Sequence, residues 1–195
     1  MAPKKPVADE PIYHVKVTII GSEPSIWRRI QVPGNISLHR LHLILQAVMG
    51  WQNYHLYRFN FGGTDFRIPD PEEDAFNEME IRDARRTKLS KIVPMDETRF
   101  LYEYDFGDSW EHEISVERIG GEESKVLYPV CVAGARACPP EDCGGIPGYA
   151  ELLRVIGDPS HEDYHHMKEW AGPHFDPEKF SIAKVNRLLQ TLRRR

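Results

Sequence analysis

The chain has 195 residues, of which 41% are hydrophobic, 10% aromatic and 28% charged, and its net charge is −5. This composition is typical of a folded globular protein and excludes a disordered chain or a surface built wholly to coat nucleic acid. No apolar run approaches the roughly 18 residues of a membrane span, and the polar, Pro-rich start is not that of a signal peptide. We therefore expect a cytoplasmic protein without a membrane partner.

The first two thirds of the chain alternates between strand and turn signals. Residues 1–11 are expected to form a flexible tail. Beyond them, Ser37 as an N-cap, leucines at helical spacing and Gly50 as a stop predict one inserted helix. Segments rich in alternating apolar residues predict strands. These predicted strands cover residues 13–20, 26–32, 56–61, 64–68, 99–104, 111–119 and 125–132.

From residue 149 onward the apolar residues recur at helical spacing. Because strands and helices are segregated along the chain, the pattern predicts one α+β domain over residues 12–192. It consists of a mainly antiparallel sheet of about seven strands, one inserted helix and a helical C-terminal region packed on the sheet. The predicted core contains Trp27, Leu41, Leu45, Trp51, Phe59, Phe106, Trp110, Leu152 and Leu188.

A candidate catalytic cluster follows the strand that ends at residue 104. Asp105 and Asp108 are three residues apart around a glycine, and His112 comes four residues later. With His55 they could form an acid/base or divalent-metal site. The alternative is a tight loop in which the carboxylates accept hydrogen bonds from turn amides, with His112 on the apolar face of its strand.

Three cysteines form a second candidate cluster. Cys131, Cys138 and Cys143 lie within thirteen positions, and His112 or Asp142 could complete a zinc shell. The short Cys-x-x-Cys spacing of zinc ribbons is absent. We expect reduced thiols and no bound cofactor, with zinc as the alternative.

The segment from His161 to His165 matches the His-Glu-x-x-His pattern, which on a helix places two imidazoles on one face for zinc. Pro159 and Ser160 indicate that the helix begins there, so His161 would lie in a frayed first turn. A solvated start of a helix is therefore the favoured interpretation.

Basic residues form a third candidate site. Five of them could contact phosphate groups if folding gathers them, whereas dispersed surface charge would serve only solubility. The candidates are Arg28, Arg29, Arg85, Arg86 and Lys88.

Several distinctive motifs run along the chain: Ile26-Trp27-Arg28-Arg29-Ile30, Leu41-His42, Met49-Gly50-Trp51, His55-Leu56, Tyr104 to Trp110 with His112, Tyr128 to Gly145, Gly148-Tyr149, Trp170 and Phe175-Asp176-Pro177. Together they resemble the plasmid pRi-type ORF-three-like family. The resemblance spans about residues 12–190 and implies an α+β domain found in plasmids, mobile elements and chromosomes. Some members are labelled resolvase-like, but no activated serine among arginines is legible in this sequence.

The expected function is a mobile-element-associated binding module for a protein or nucleic-acid partner. One alternative is a metal-dependent hydrolase-type enzyme that uses the cluster of Asp105, Asp108 and His112. The other is a structural zinc domain. The sequence leaves enzymatic activity and oligomeric state open.

Overall fold

A computed structural model describes residues 10–74 and 80–193, so most of the predicted tail lies outside the described residues. Among those residues, no helix is both long enough and apolar enough to cross a membrane. The elements in chain order are β1 (Ile12–Ile19), β2 (Trp27–Pro33), α1 (Leu38–Met49), β3 (Tyr57–Phe61), β4 (Thr64–Arg67), α2 (Pro71–Asp74), β5 (Ile81–Asp83), α3 (Leu89–Ile92), β6 (Arg99–Tyr104), β7 (Trp110–Gly120), β8 (Val130–Ala135), α4 (Gly145–Ile156), α5 (Tyr164–Trp170) and α6 (Ile182–Arg193).

The strands form one eight-stranded sheet in the order β5-β4-β3-β6-β7-β1-β2-β8. Strand β1 lies inside it, antiparallel to β2 and β7, and its alternating Val15, Val17 and Ile19 are fully buried. The β4–β5 pair is parallel, whereas the other pairs are antiparallel. The α+β class and the mainly antiparallel sheet predicted from the sequence are confirmed, with eight strands rather than about seven.

Helix α1 lies across the buried face of the sheet. Its ends are those predicted, because the Ser37 side chain accepts a hydrogen bond from the Arg40 N–H and Gly50 adopts φ 96° after the last turn. At one end of the sheet the His42 ring stacks on Tyr57 of β3 at 3.7 Å. At the other, the Arg28 guanidinium of β2 donates to the Val48 carbonyl oxygen. The opposite sheet face carries solvated ion pairs such as Arg29 with Glu117.

Helix α6 covers the outer edge of β8. The Asn186 side chain accepts from the Cys131 N–H at 2.8 Å and donates to the Cys131 carbonyl at 2.9 Å. One amide side chain thus satisfies both backbone groups of a strand residue at the sheet edge. Leu189 of the same helix is fully buried, so the helical C-terminal region packs on the sheet as predicted.

Three residues of the predicted core lie elsewhere. Phe106 and Leu188 are exposed, and Trp27 is only partly buried on the solvated face of the sheet. Helix α6 buries Val185 and Leu189, which leaves Leu188 on the flank. Phe106 lies in the β6–β7 turn, where the Arg58 guanidinium is 5.5 Å from the centre of its ring and the residue is 40% exposed. The six other predicted core residues are buried.

The predicted flexible tail also extends too far along the chain. Glu10 accepts hydrogen bonds from the Asn35 backbone and side chain, and the Pro11 carbonyl accepts from the Gly34 N–H. Both residues are therefore anchored to the turn after β2.

Candidate metal centre

His55 is held by a short loop between α1 and β3. The Asn53 side-chain oxygen contacts His42 Nε2 of α1 at 2.5 Å, and the Tyr54 N–H donates to the Tyr104 hydroxyl at 3.1 Å. These two links fix the loop to the helix on one side and to β6 on the other. The imidazole of His55 therefore has a defined position beside the end of β6.

Asp105 follows β6 and begins the turn to β7. It adopts a left-handed backbone with φ 57°, and its N–H donates to the Leu56 carbonyl oxygen at 2.9 Å. This bond joins the turn to the residue after His55. Asp105 Oδ1 accepts from the Gly107 N–H at 3.0 Å, as in an Asx turn, while Oδ2 lies 3.6 Å from His55 Nε2.

The loop before α4 supplies two more carboxylates. Glu141 accepts from the Gln52 N–H at 2.7 Å and from the Tyr104 hydroxyl at 3.1 Å. Nearby, Asp108 accepts from the Gly144 N–H, which ties this loop to the β6–β7 turn. Asp142 lies between these two anchors. Hydrogen bonds between distant residues therefore bring the three loops together. The spacing of residues in the sequence does not predict these bonds.

The ligand atoms converge at His55 Nε2. Asp142 Oδ1 lies 3.1 Å from it and Glu141 Oε2 lies 4.0 Å away. One atom each from His55, Asp105 and Asp142 lies within 4.8 Å of the other two. The Nε2 atom is shielded from solvent, and none of its contacts among the described residues has the geometry of a hydrogen bond. Imidazole nitrogen with carboxylate oxygen is a donor set for a divalent transition metal.

The site is open on one side. The Asp105 side chain is 9% exposed, whereas that of Asp142 is 68% exposed. Two cavities flank it. One, of about 330 Å³, is lined by His55, and the other, of about 870 Å³, is lined by Glu141 and Asp142. A ligand could therefore reach the cluster from solvent.

Two of the predicted catalytic residues do not contribute ligands. Asp108 caps Gly144 as described above. His112 is fully buried, with its ring edge-on to Trp51 at 5.3 Å and Nδ1 3.3 Å from the Tyr102 carbonyl oxygen. Burial lowers the pKa of His112 to about 4, so it is a neutral core residue. His55 and Asp105 are the predicted pair that the fold brings together.

The cysteine candidates do not share one ligand set. Among the described residues, the side chains that lie close enough together to hold a metal ion include none of the three cysteines. Burial raises the pKa of the thiols of Cys131 and Cys138, and raises that of Cys143 to about 12. Because the three thiols share no ligand group among the described residues, the geometry gives the zinc alternative little support.

His161 and His165 do not form the helical pair that a His-Glu-x-x-His metal site would require. Helix α5 begins only at Tyr164, so His161 precedes it and lies in a turn. Its Nδ1 accepts from the Asp163 N–H and its Nε2 lies 3.1 Å from the Arg154 guanidinium. The i, i+4 geometry that would aim both rings at one metal is therefore lacking.

The five basic candidates occupy different environments. Arg28 is buried and donates to the carbonyl oxygens of Val48, Trp27 and Ala135, and its guanidinium lies over the Phe180 ring at 4.1 Å. Such a guanidinium is a structural anchor and cannot reach a phosphate. The others lie on the surface: Arg29 pairs with Glu117, Arg85 and Arg86 pair with Asp83, and Lys88 is exposed.

Comparisons with known proteins agree with this fold. Residues 11–184 match the family model described as plasmid pRiA4b ORF-3-like protein. A relative from Sinorhizobium fredii (strain NBRC 101917 / NGR234), the uncharacterized protein y4hQ, is 38% identical over 187 residues, which are 93% of this chain and 92% of the relative. The crystal structure of the protein of unknown function MM3350 from Methanosarcina mazei Go1 matches with a TM-score of 0.82 and 38% identity, covering 91% of this chain and 99% of that one.

Proposed function

The chain belongs to the plasmid pRiA4b ORF-3-like protein family, and we propose that it is a metal-dependent enzyme of the hydrolase type. His55, Asp105 and Asp142 would hold its divalent cation. The observation that supports this is the convergence of three ligand atoms from three separate loops within 4.8 Å. Ligand atoms of one transition-metal ion lie about 3–4 Å apart, because each bond is roughly 2.0–2.3 Å long. The observed spacing is therefore close to that of a formed site.

Glu141 is the residue placed to act as a general base. Its Oε2 lies 4.0 Å from His55 Nε2, and its orientation is set by the Gln52 N–H and the Tyr104 hydroxyl. A bound divalent cation lowers the pKa of water towards neutrality, which is the chemistry it would supply. Glu141 would accept the proton that this water loses. The proposed site thus keeps His55 and Asp105 from the predicted cluster and replaces Asp108 and His112 by Glu141 and Asp142.

Isothermal titration of the full chain with Mn²⁺ tests the proposal. We expect one ion per chain, and affinity reduced by roughly 100-fold or more in His55→Gln and in Asp105→Asn, since ligand loss costs at least as much as loss of a supporting residue. Cys138→Ser and the distant Asp163→Asn should bind as the wild type does. Absence of a one-to-one binding event, with Mn²⁺ and again with Zn²⁺, would refute the proposal.

A binding module for a protein partner is the second candidate. The groove of about 870 Å³ supports it, because exposed Trp170 and Leu188 line its wall beside Lys184. A nucleic-acid partner has less support, since Arg28 is buried and Arg85 is already paired. Loss of a captured protein in Trp170→Ala, with Mn²⁺ titration unchanged, would favour this candidate.

The three cysteines of the chain are unpaired, which supports a location in the cytoplasm, where thiols stay reduced.

A further inference from the structure

The smaller cavity beside His55 has an apolar mouth. Leu56, Ile68 and Phe106 line it, and these residues are 56%, 41% and 40% exposed. They come from three different segments, because Leu56 precedes β3, Ile68 follows β4 and Phe106 lies in the β6–β7 turn. Exposed apolar side chains from separate segments that meet at one cavity indicate a ligand contact rather than scattered surface residues.

The same backbone hydrogen bond positions the residues of the apolar mouth and those of the candidate metal centre. Leu56 directly follows His55, and Phe106 directly follows Asp105. The hydrogen bond from the Asp105 N–H to the Leu56 carbonyl oxygen joins the two segments. A group bound to the cation would therefore lie next to both apolar side chains.

The base of the cavity is polar but uncharged. His42 contacts Asn53 and the Tyr102 hydroxyl, and burial lowers its pKa to about 3. His39 Nδ1 lies 2.9 Å from the Tyr57 hydroxyl, and burial lowers the pKa of His39 as well. These polar side chains already make hydrogen-bond contacts within the protein. Two charged residues, Arg67 and Asp70, lie in the cavity wall, whereas the base offers shape and uncharged groups instead of a counter-charge.

Electrostatics at the centre disfavour an anionic substrate. Asp105, Glu141 and Asp142 together place three carboxylates around one position, which outnumber the two charges of a divalent cation. The Arg67 guanidinium in the cavity wall is paired with Asp74. The net negative charge would thus repel a phosphate ester, whereas it would not repel a neutral carbonyl compound.

We propose that the substrate class is an uncharged ester or amide whose aryl or branched apolar acyl group occupies this cavity. This inference rests on the proposed hydrolase function. In the reaction the oxygen of water bonds to the carbonyl carbon, and the bond from that carbon to oxygen or nitrogen breaks. The proton that water loses passes to Glu141 and then to the leaving group.

Two hydroxamic acids test the inference, because a hydroxamate chelates the metal and differs only in the group beside it. In the Mn²⁺-loaded chain, benzohydroxamic acid should bind at least tenfold more tightly than acetohydroxamic acid. Replacing both Leu56 and Phe106 by Ser should remove this preference while the affinity for acetohydroxamic acid stays constant. Leu101→Ser, which replaces an exposed leucine on the solvated sheet face, is the control and should keep the preference.

The outcomes separate the two proposals. Failure of the chain to bind Mn²⁺ would overturn the proposed function and, with it, this inference. Binding of Mn²⁺ with equal affinity for both hydroxamic acids, or with affinity for neither, would overturn the inference alone. A preference that survives in the double Ser variant would overturn it too, because the apolar group would then lie outside this cavity.

Discussion

The buried imidazole of His112 should make the protein lose stability in mild acid. Burial lowers its folded-state pKa from 6.5 to about 4. Below pH 6.5 the unfolded chain binds a proton that the folded chain does not, so the stability falls as the pH decreases from 6.5 towards 4. At pH 5 the cost from this one residue is about 2 kcal/mol, and below pH 4 it levels off at about 3 kcal/mol.

Urea unfolding at pH 7 and at pH 5 measures this loss. His42, whose pKa burial lowers to about 3, adds a loss of the same sign. His112→Gln should therefore reduce the total pH-dependent loss by about 2 kcal/mol, whatever its effect on stability at pH 7. Exposed His165→Gln is the control and should keep the wild-type loss. An unchanged loss in both His112→Gln and His112→Phe would refute the assignment of His112 to the core.

Three substitutions, two of them with a matched control variant, test the packing. Trp110→Ala, at a fully buried ring, should lower the free energy of unfolding by about 3–5 kcal/mol. Leu188→Ala, on the exposed flank of α6, should lower it by about 1 kcal/mol or less. Similar losses for the two variants in urea unfolding would contradict the burial of Trp110. Arg28→Lys should cost about 1–3 kcal/mol, because the ammonium cannot reproduce three carbonyl contacts, and Arg29→Lys less than about 1 kcal/mol. Equal melting temperatures for these two variants would be inconsistent with an anchoring role. Gly148→Ala would place a Cβ 1.8 Å from a backbone oxygen, so little folded protein should be recovered, as judged by circular dichroism.

Local signals predicted the elements whose residues carry their own pattern. Helix α1 was predicted because its cap, its stop and its apolar spacing all lie within one segment. Strand β5 was missed because it has only three residues and depends on parallel pairing with β4. Phe106 was placed in the core because the sequence shows its apolar type but not that the turn carries it to an exposed tip.

The candidate site was only half predictable from the sequence. The sequence marks His55 and Asp105 as chemically suitable, but they lie fifty positions apart. The hydrogen bond from the Asp105 N–H to the carbonyl oxygen of Leu56, the residue after His55, brings them together. The sequence offers Asp142 only as a partner of the cysteines, and it gives no metal-site signal for Glu141. The positions of Glu141 and Asp142 depend on the contacts that Gln52 and Tyr104 make with this loop. These contacts join segments that are far apart in the chain, so no periodic pattern in the sequence predicts them.

Anomalous diffraction from crystals of the full chain soaked in Mn²⁺ tests the proposed metal centre most directly. Data collected on both sides of the manganese absorption edge locate the ion independently of any activity. We expect one strong peak at roughly 2.0–2.3 Å from His55 Nε2, Asp105 Oδ2 and Asp142 Oδ1. The same crystals of Asp105→Asn should show no peak there. A peak only at other residues, or no ordered manganese in the wild type, would contradict the account.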